Sequence, residues 1–277
     1  MSTAEERADE EVSEHEAVPL AKMLAIGTVL SLIGVFLVLL IDWFPAQAST
    51  AAPGVDTLYD VLLIVSIPIF LLVMTVVVYS VMKFRARGPG DMRDGAPIHG
   101  NARLEVIWVT IPLVIVSLLA VYGWIVLDDQ EETKANTMVV KVEGQQFAWH
   151  FQYPQPGGAK PVRSDDLVLP VARPVKFEIR AADVLHSFFI PAFRLKSDAV
   201  PGITTSFRAT PNKEGDYDIV CAELCGIGHS TMRQTVSVVP EAKFSSWLAE
   251  QGKAGGEAAE GATGNSDEAE SDARGAP

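Results

Sequence analysis

The chain has 277 residues, 48% of them hydrophobic, and carries a formal net charge of −13. That acidity argues against nucleic-acid binding, which needs a surplus of Lys and Arg to neutralise phosphates. The acid is concentrated at the ends: residues 1–22 hold seven acids and two bases, and residues 251–277 hold six and two.

Residues 1–22 read as an acidic disordered tail. Three runs without any charged residue follow, at 23–41, 61–82 and 106–127, with lengths of 19, 22 and 22 residues. A helix rises about 1.5 Å per residue, so about 20 residues cross a hydrocarbon core roughly 30 Å thick. Each run is therefore long enough to span a membrane, and we expect a first apolar segment at 23–44 and transmembrane helices at 57–83 and 105–128. Pro68 and Pro112 fall inside the second and third. Membrane helices tolerate such prolines where neighbouring groups satisfy the freed carbonyls.

Residues 83–103 carry five bases (Lys83, Arg85, Arg87, Arg93 and Arg103) against Asp91 and Asp94. Short basic loops stay in the cytoplasm, so 84–104 is expected to be a cytoplasmic loop. The segments after the first and third spans are poor in Lys and Arg and are expected to face outward. The first segment is either an anchor or a signal. "AQA" at 46–48, followed by Ser49, offers small residues where a signal peptidase can cut, whereas the acidic region before the run favours retention.

From residue 135 to 250 the pattern changes to short alternating stretches: "MVVKVEG", "QFAWHFQY", "LVLPV", "VKFEIR" and "YDIVCAE". Short strands parted by Pro, Gly and Asp predict an all-β sandwich or barrel. Period-two alternation puts Phe147, Trp149, Phe151 and Tyr153 on one face of a strand, where most such stripes are core. Residues 251–277 contain no aromatic or branched aliphatic side chain and read as a second acidic disordered tail.

The chemistry is concentrated in "CAELCGIGHSTM", residues 221–232, which holds both cysteines of the chain together with His229 and Met232. One reading is a disulfide, which an outer compartment permits. A bridge closing so short a loop contributes little and leaves His229 and Met232 unexplained. The other reading is a soft metal, because thiolate, thioether and imidazole together select copper over zinc or calcium. Two thiolates bridging two copper ions would require a second imidazole. His150 lies on the face opposite the aromatic stripe, which leaves His186, in "DVLHSFFIPAFRLKSDAVPG", as the candidate.

"HSFFIPAFRLKSDAVPG" and "CAELCGIGHSTM" together resemble subunit II of cytochrome c oxidase, the respiratory haem–copper oxidase. The resemblance implies a membrane α-helical hairpin, with an extra N-terminal apolar segment here, followed by an all-β cupredoxin-like sandwich or barrel. It implies a dinuclear copper A centre held by His186, Cys221, Cys225, His229, Met232 and the carbonyl of Glu223. Cys221 and Cys225 would bridge the metals, with Met232 and the Glu223 carbonyl as weak axial ligands. It also implies that the Glu223 side chain helps bind magnesium at the contact with subunit I, and that Glu105 marks a proton entrance. Asp183 and Asp198 match family positions without an assigned role.

The family's electron-entry string resembles "QWYW". Here it is "QFAW", with Phe147 and Ala148 in place of Trp and Tyr, and Trp149 kept. Phe147 and Trp149 are the electron-entry candidates, and the departure leaves the donor open between cytochrome c and another small redox protein. The implied partners are subunit I, carrying haem and copper B, then subunit III, the donor, and membrane lipid. The implied activity is that of a proton-translocating oxidoreductase reducing dioxygen to water, in the plasma membrane of a prokaryote with the copper domain outside. Two alternatives share part of the pattern: a copper A subunit serving a nitric-oxide reductase, and a membrane-anchored copper-delivery protein.

Overall fold

A computed structural model describes residues 20–86, 88, 100–155, 157 and 159–253. The expected acidic tails lie outside the described residues up to 19 and from 254, and so does the loop between 89 and 99. The described residues form two compact units, one from those up to Asp42 and in Leu58–Ala120, the other from Trp43–Thr57 and those from Val121 onward.

The first unit contains helix α1 (Leu20–Leu39) and most of α2 (Ala52–Phe84) and α3 (Ala102–Glu131). All three are long and apolar enough to cross a membrane. They are apolar on every side rather than along one stripe, and Phe70, Met82, Leu113 and Leu118 each stand more than 60% exposed. Such surface is costly in water and suits hydrocarbon. Hydroxyls inside the runs bond their own helix, Ser31 Oγ to the Gly27 carbonyl at 2.6 Å and Ser117 Oγ to that of Leu113 at 2.7 Å. Gly34 of α1 comes so close to α2 that an added Cβ would lie 2.8 Å from a Leu71 methyl. Helix α3 starts on a side-chain cap: Asn101 Oδ1 accepts from the Arg103 and Leu104 N–H groups, and Glu105 Oε1 accepts in return from the Asn101 N–H.

The second unit is a β-sandwich. Its strands are β1 (Met138–Gln145), β2 (Ala148–Tyr153), β3 (Val162–Ser164), β4 (Leu167–Pro170), β5 (Val175–Ala181), β6 (His186–Ile190), β7 (Leu195–Ala199), β8 (Thr205–Ala209), β9 (Gly215–Cys221) and β10 (Arg233–Val239). They form two five-stranded sheets, ordered β3-β2-β1-β5-β8 and β4-β10-β9-β6-β7. Pairs β1–β5 and β4–β10 are parallel. Alternate residues of β2 (Trp149, Phe151, Tyr153) and of β5 (Val175, Phe177, Ile179) are buried, and they meet Phe188 and Ile190 of the other sheet in one core.

Five strands go beyond the stretches read from the sequence, namely β3, β6, β7, β8 and β10. β6 is buried on nearly every side chain and so lacks alternation, while β7 carries Lys196 and Asp198. Phe147 falls outside β2, in the turn before it, and is half-buried. Residues 241–253 form a helix, α4, which runs three residues past the expected end of the domain. Its Phe244 and Trp247 pack on Tyr153 at ring distances of 6.2 and 5.2 Å.

The segment Trp43–Thr57 belongs to this unit through specific bonds. The Ala48 N–H donates to the Ala192 carbonyl, and the Asn212 N–H to that of Ala48. Ser49 Oγ donates to the Phe193 carbonyl, and both Ala48 and Ser49 are fully buried. The Arg194 guanidinium grips both Asp56 oxygens at 2.7 and 3.0 Å, donates to the Pro45 carbonyl, and lies 4.7 Å from the centre of the Phe44 ring.

Candidate metal centre

One end of the β4-β10-β9-β6-β7 sheet gathers the chemistry. Strand β9 ends on Cys221, and the chain returns as β10 at Arg233, opposite Val220. The intervening loop is closed at its base by the Cys221 N–H bond to the Met232 carbonyl at 3.1 Å. It is tied sideways by the Ala222 N–H bond to the Ser187 carbonyl at 2.9 Å, next to His186 at the head of β6. His229 sits in a short 3-10 turn, His229–Thr231. Sheet pairing thus brings a residue 35 positions upstream against the loop.

The donor atoms converge. Cys221 Sγ and Cys225 Sγ are 3.9 Å apart, so the thiols are free rather than bridged. His186 Nδ1 lies 4.0 Å from Cys221 Sγ, and His229 Nδ1 lies 3.7 Å from Cys225 Sγ. Met232 Sδ is 3.8 Å from Cys225 Sγ, and the Glu223 carbonyl oxygen is 3.2 Å from Cys221 Sγ. Donors about 2.0–2.3 Å from a shared first-row ion, at near-tetrahedral angles, sit roughly 3.3–3.8 Å from one another. The observed spacings, from 3.2 to 4.0 Å, lie close to that range, and His186, Cys221 and Cys225 stand out as a buried group able to hold a metal. Burial, followed by the neighbouring Cys221 thiol, pushes the Cys225 thiol up to about 11. A bound cation reverses this preference, because ligation requires the thiolate.

The surroundings orient the candidate ligands. Asp183 Oδ1 lies 2.9 Å from His186 Nε2, which leaves Nδ1 to face the sulfur pair. Partial burial raises the Asp183 carboxyl. Hydrogen bonds from His186 and from the Gln146 and Val184 N–H groups outweigh it, and the net effect is a value below the ordinary one. Trp149 is fully buried and meets His186 edge to face at 5.9 Å. The Gln234 side chain holds both the N–H and the carbonyl of Trp149. Phe147 lies over the ligand loop so closely that a Cβ at Gly228 would come within 2.5 Å of its ring.

Of the residues expected from the sequence, His186, Cys221, Cys225, His229, Met232 and the Glu223 carbonyl are brought together, and the Glu223 side chain is exposed. Phe147 and Trp149 divide. Phe147 is half-exposed beside the loop, while Trp149 lies beneath it with no surface of its own. His150 pairs with Asp165 at 2.7 Å, and Asp198 accepts a hydrogen bond from Ser187 Oγ. Glu105 lies in the helical unit, at the capped start of α3. The sequence assigned no role to Asp183 or to Gln146. Asp183 carries a faint signal three residues before His186, and Gln146 opens the "QFAW" string without any hint of the contacts it makes.

Comparison with known proteins bears on this arrangement directly. Residues 155–239 match the family described as the periplasmic domain of cytochrome C oxidase subunit II, and residues 37–126 match its transmembrane domain. The chain is 32% identical to cytochrome c oxidase subunit 2 of Synechocystis sp., over 80% of this chain and 82% of the relative. The chain belongs to the cytochrome c oxidase subunit II family. The subunit 2 of Thermostichus vulcanus is 34% identical over 73% of this chain and 76% of that relative. Among solved structures, the periplasmic domain of subunit II from Bradyrhizobium japonicum is 30% identical, with a TM-score of 0.41, covering 44% of this chain and 96% of that one. As a subunit II, the chain is a membrane component of the oxidase that reduces dioxygen, and it is a partner of subunit I. Its sandwich is the cupredoxin-like domain in which this family carries the copper A centre.

Proposed function

We propose that the outer domain accepts electrons from cytochrome c or a similar small redox protein and passes them to haem in subunit I. The observation that carries this reading is the convergence of two free thiols, two imidazoles, a thioether and a carbonyl within ligand distance of one another. When bound, a dinuclear copper A centre supplies a one-electron couple shared over two ions. Cys221, Cys225, His186, His229, Met232 and the Glu223 carbonyl would hold the pair, the two thiolates supplying the charge and the softest donors. The sheet fixes Cys221, His186 and Met232, so the donors have little freedom to rearrange between oxidation states, which favours fast transfer. Phe147 is the surface contact for the donor, and Trp149 is an interior step beside His186.

The exposed carboxylate of Glu223 takes magnesium at the contact with subunit I. Glu105 serves proton entry at the cytoplasmic end of α3, where it also caps the helix. Subunit III completes the complex. The basic stretch at 84–104 faces the cytoplasm, and residues 135–250 lie on the outer face of a prokaryotic plasma membrane. The first apolar segment stays as an anchor, a reading supported by bonds into the outer domain from Pro45 and Thr50, on either side of the Ala46–Ala48 motif.

Rapid mixing of the assembled complex with reduced cytochrome c tests the proposal. A fast phase of electron uptake is expected in the native complex. It should vanish in a Cys221→Ser complex that still contains the subunit. Persistence of that phase without Cys221 contradicts the reading.

A further inference from the structure

The turn between β1 and β2 contributes no ligand, yet it touches both arms of the site. The main-chain N–H of Gln146 donates to Asp183 Oδ2 at 2.8 Å, and the other oxygen of that carboxylate lies 2.9 Å from His186 Nε2. The side-chain amide of the same residue donates to the Cys225 carbonyl at 2.6 Å. The loop is shaped to receive it. Gly226 adopts a φ of +134°, and a Cβ there would fall 2.8 Å from Gln146 Nε2. The turn itself is held in place, since both main-chain groups of Trp149 are tied to Gln234 at 2.8 and 3.0 Å.

We propose that Gln146 is a positioning residue for the metal pair, setting the distance between the strand-borne His186 arm and the loop-borne Cys225 arm. The inference rests on the copper reading of the site. A dinuclear centre binds well only when both halves are held at one separation, and partners behind the ligands typically tune affinity and electronic structure. The Cys225 arm is the one in need of such a brace, because its neighbours Leu224 and Ile227 are 77% and fully exposed and offer it no packing. The main-chain half of the brace survives any substitution that keeps the N–H, which excludes only proline, so the side-chain changes used below report on the Cys225 arm alone.

The test uses the full-length protein, loaded with copper, in four forms: native, Gln146→Met, Gln146→Glu and Gln155→Met. Methionine keeps the length without a donor, and glutamate keeps the shape with a carboxylate that cannot donate at neutral pH. Gln155 bonds the Tyr153 carbonyl, away from the site, and serves as the control. Both Gln146 variants are expected to bind two copper ions at saturation, with affinity in chelator competition weakened about 10-fold. Their visible bands and copper hyperfine pattern should shift, while Gln155→Met matches the native protein. Should Gln146→Met fail to accumulate, Gln146→Glu carries the test, since this position is exposed to solvent. Native affinity and native spectra in the Gln146 variants overturn the positioning role and leave the copper reading standing. Absence of copper from the native protein overturns the copper reading itself, and the inference with it.

Discussion

The two imidazoles of the site, each beside a different thiol, are held in different ways. His186 is the first residue of β6, fully buried, bonded through Nε2 to Asp183 and packed against Trp149. His229 rides a short turn in the loop, half-buried, with its main chain held by the Gly226 carbonyl. One arm is set by the sandwich before any metal arrives. The other depends on a loop whose outer residues face solvent. A site built in this way combines a rigid reference ligand with a more accessible one, and the accessible side is where Phe147 lies.

The largest expected effect separates the two arms directly. Replacing either histidine by glycine should remove the native spectrum, but added imidazole should restore it in His229→Gly and fail in His186→Gly, whose side chain has no path to solvent. Equal rescue of both variants would break the comparison. A smaller effect is expected from Asp183→Asn, which weakens the bond that orients His186. Copper affinity should fall about 10-fold by chelator competition, the usual loss when a partner behind a ligand is altered. An unchanged affinity would show that strand β6 alone positions the ring.

The smallest effect lies away from the metal, in the core that makes the first arm rigid. Burial pushes the Tyr153 hydroxyl above its ordinary value of 10.0, and that hydroxyl accepts from the Val168 N–H and donates to the Val168 carbonyl. The folded state therefore holds this proton more tightly than the unfolded chain does. Its stabilisation is complete below about pH 10 and is lost as the pH rises beyond it. Thermal unfolding of the metal-free protein should show this alkaline loss. Tyr153→Phe should lower stability at neutral pH by about 1 kcal/mol and flatten the alkaline limb.

The ligand loop was legible in the sequence because its donors crowd into one short stretch, where a soft metal accounts for all of them at once and a disulfide for only two. His186 was legible by elimination and through the resemblance of the string it opens, since a lone histidine ahead of an apolar strand carries no signal of its own. Gln146 and Asp183 were not legible as a pair, because their bond joins residues 37 positions apart. The same holds for Arg194 and Asp56, separated by 138 positions, whose bond ties the segment after the first helix into the β-sandwich unit. Strand β6 escaped notice because burial on both faces erases the alternation that marks a strand, and β7 because its inward face carries the polar Ser197 between Leu195 and Ala199. Phe147 shows the converse failure. It fits the alternation of β2 and yet belongs to the turn, where it is half-exposed beside the metal loop.

The central claim is that Cys221 and Cys225 jointly hold two copper ions. Metal analysis combined with electron paramagnetic resonance of the purified full-length protein tests it most directly. Two copper ions per chain sharing one unpaired electron are expected, with both ions lost in Cys221→Ser. One ion per chain, or a disulfide between Cys221 and Cys225 with no copper bound, would contradict it.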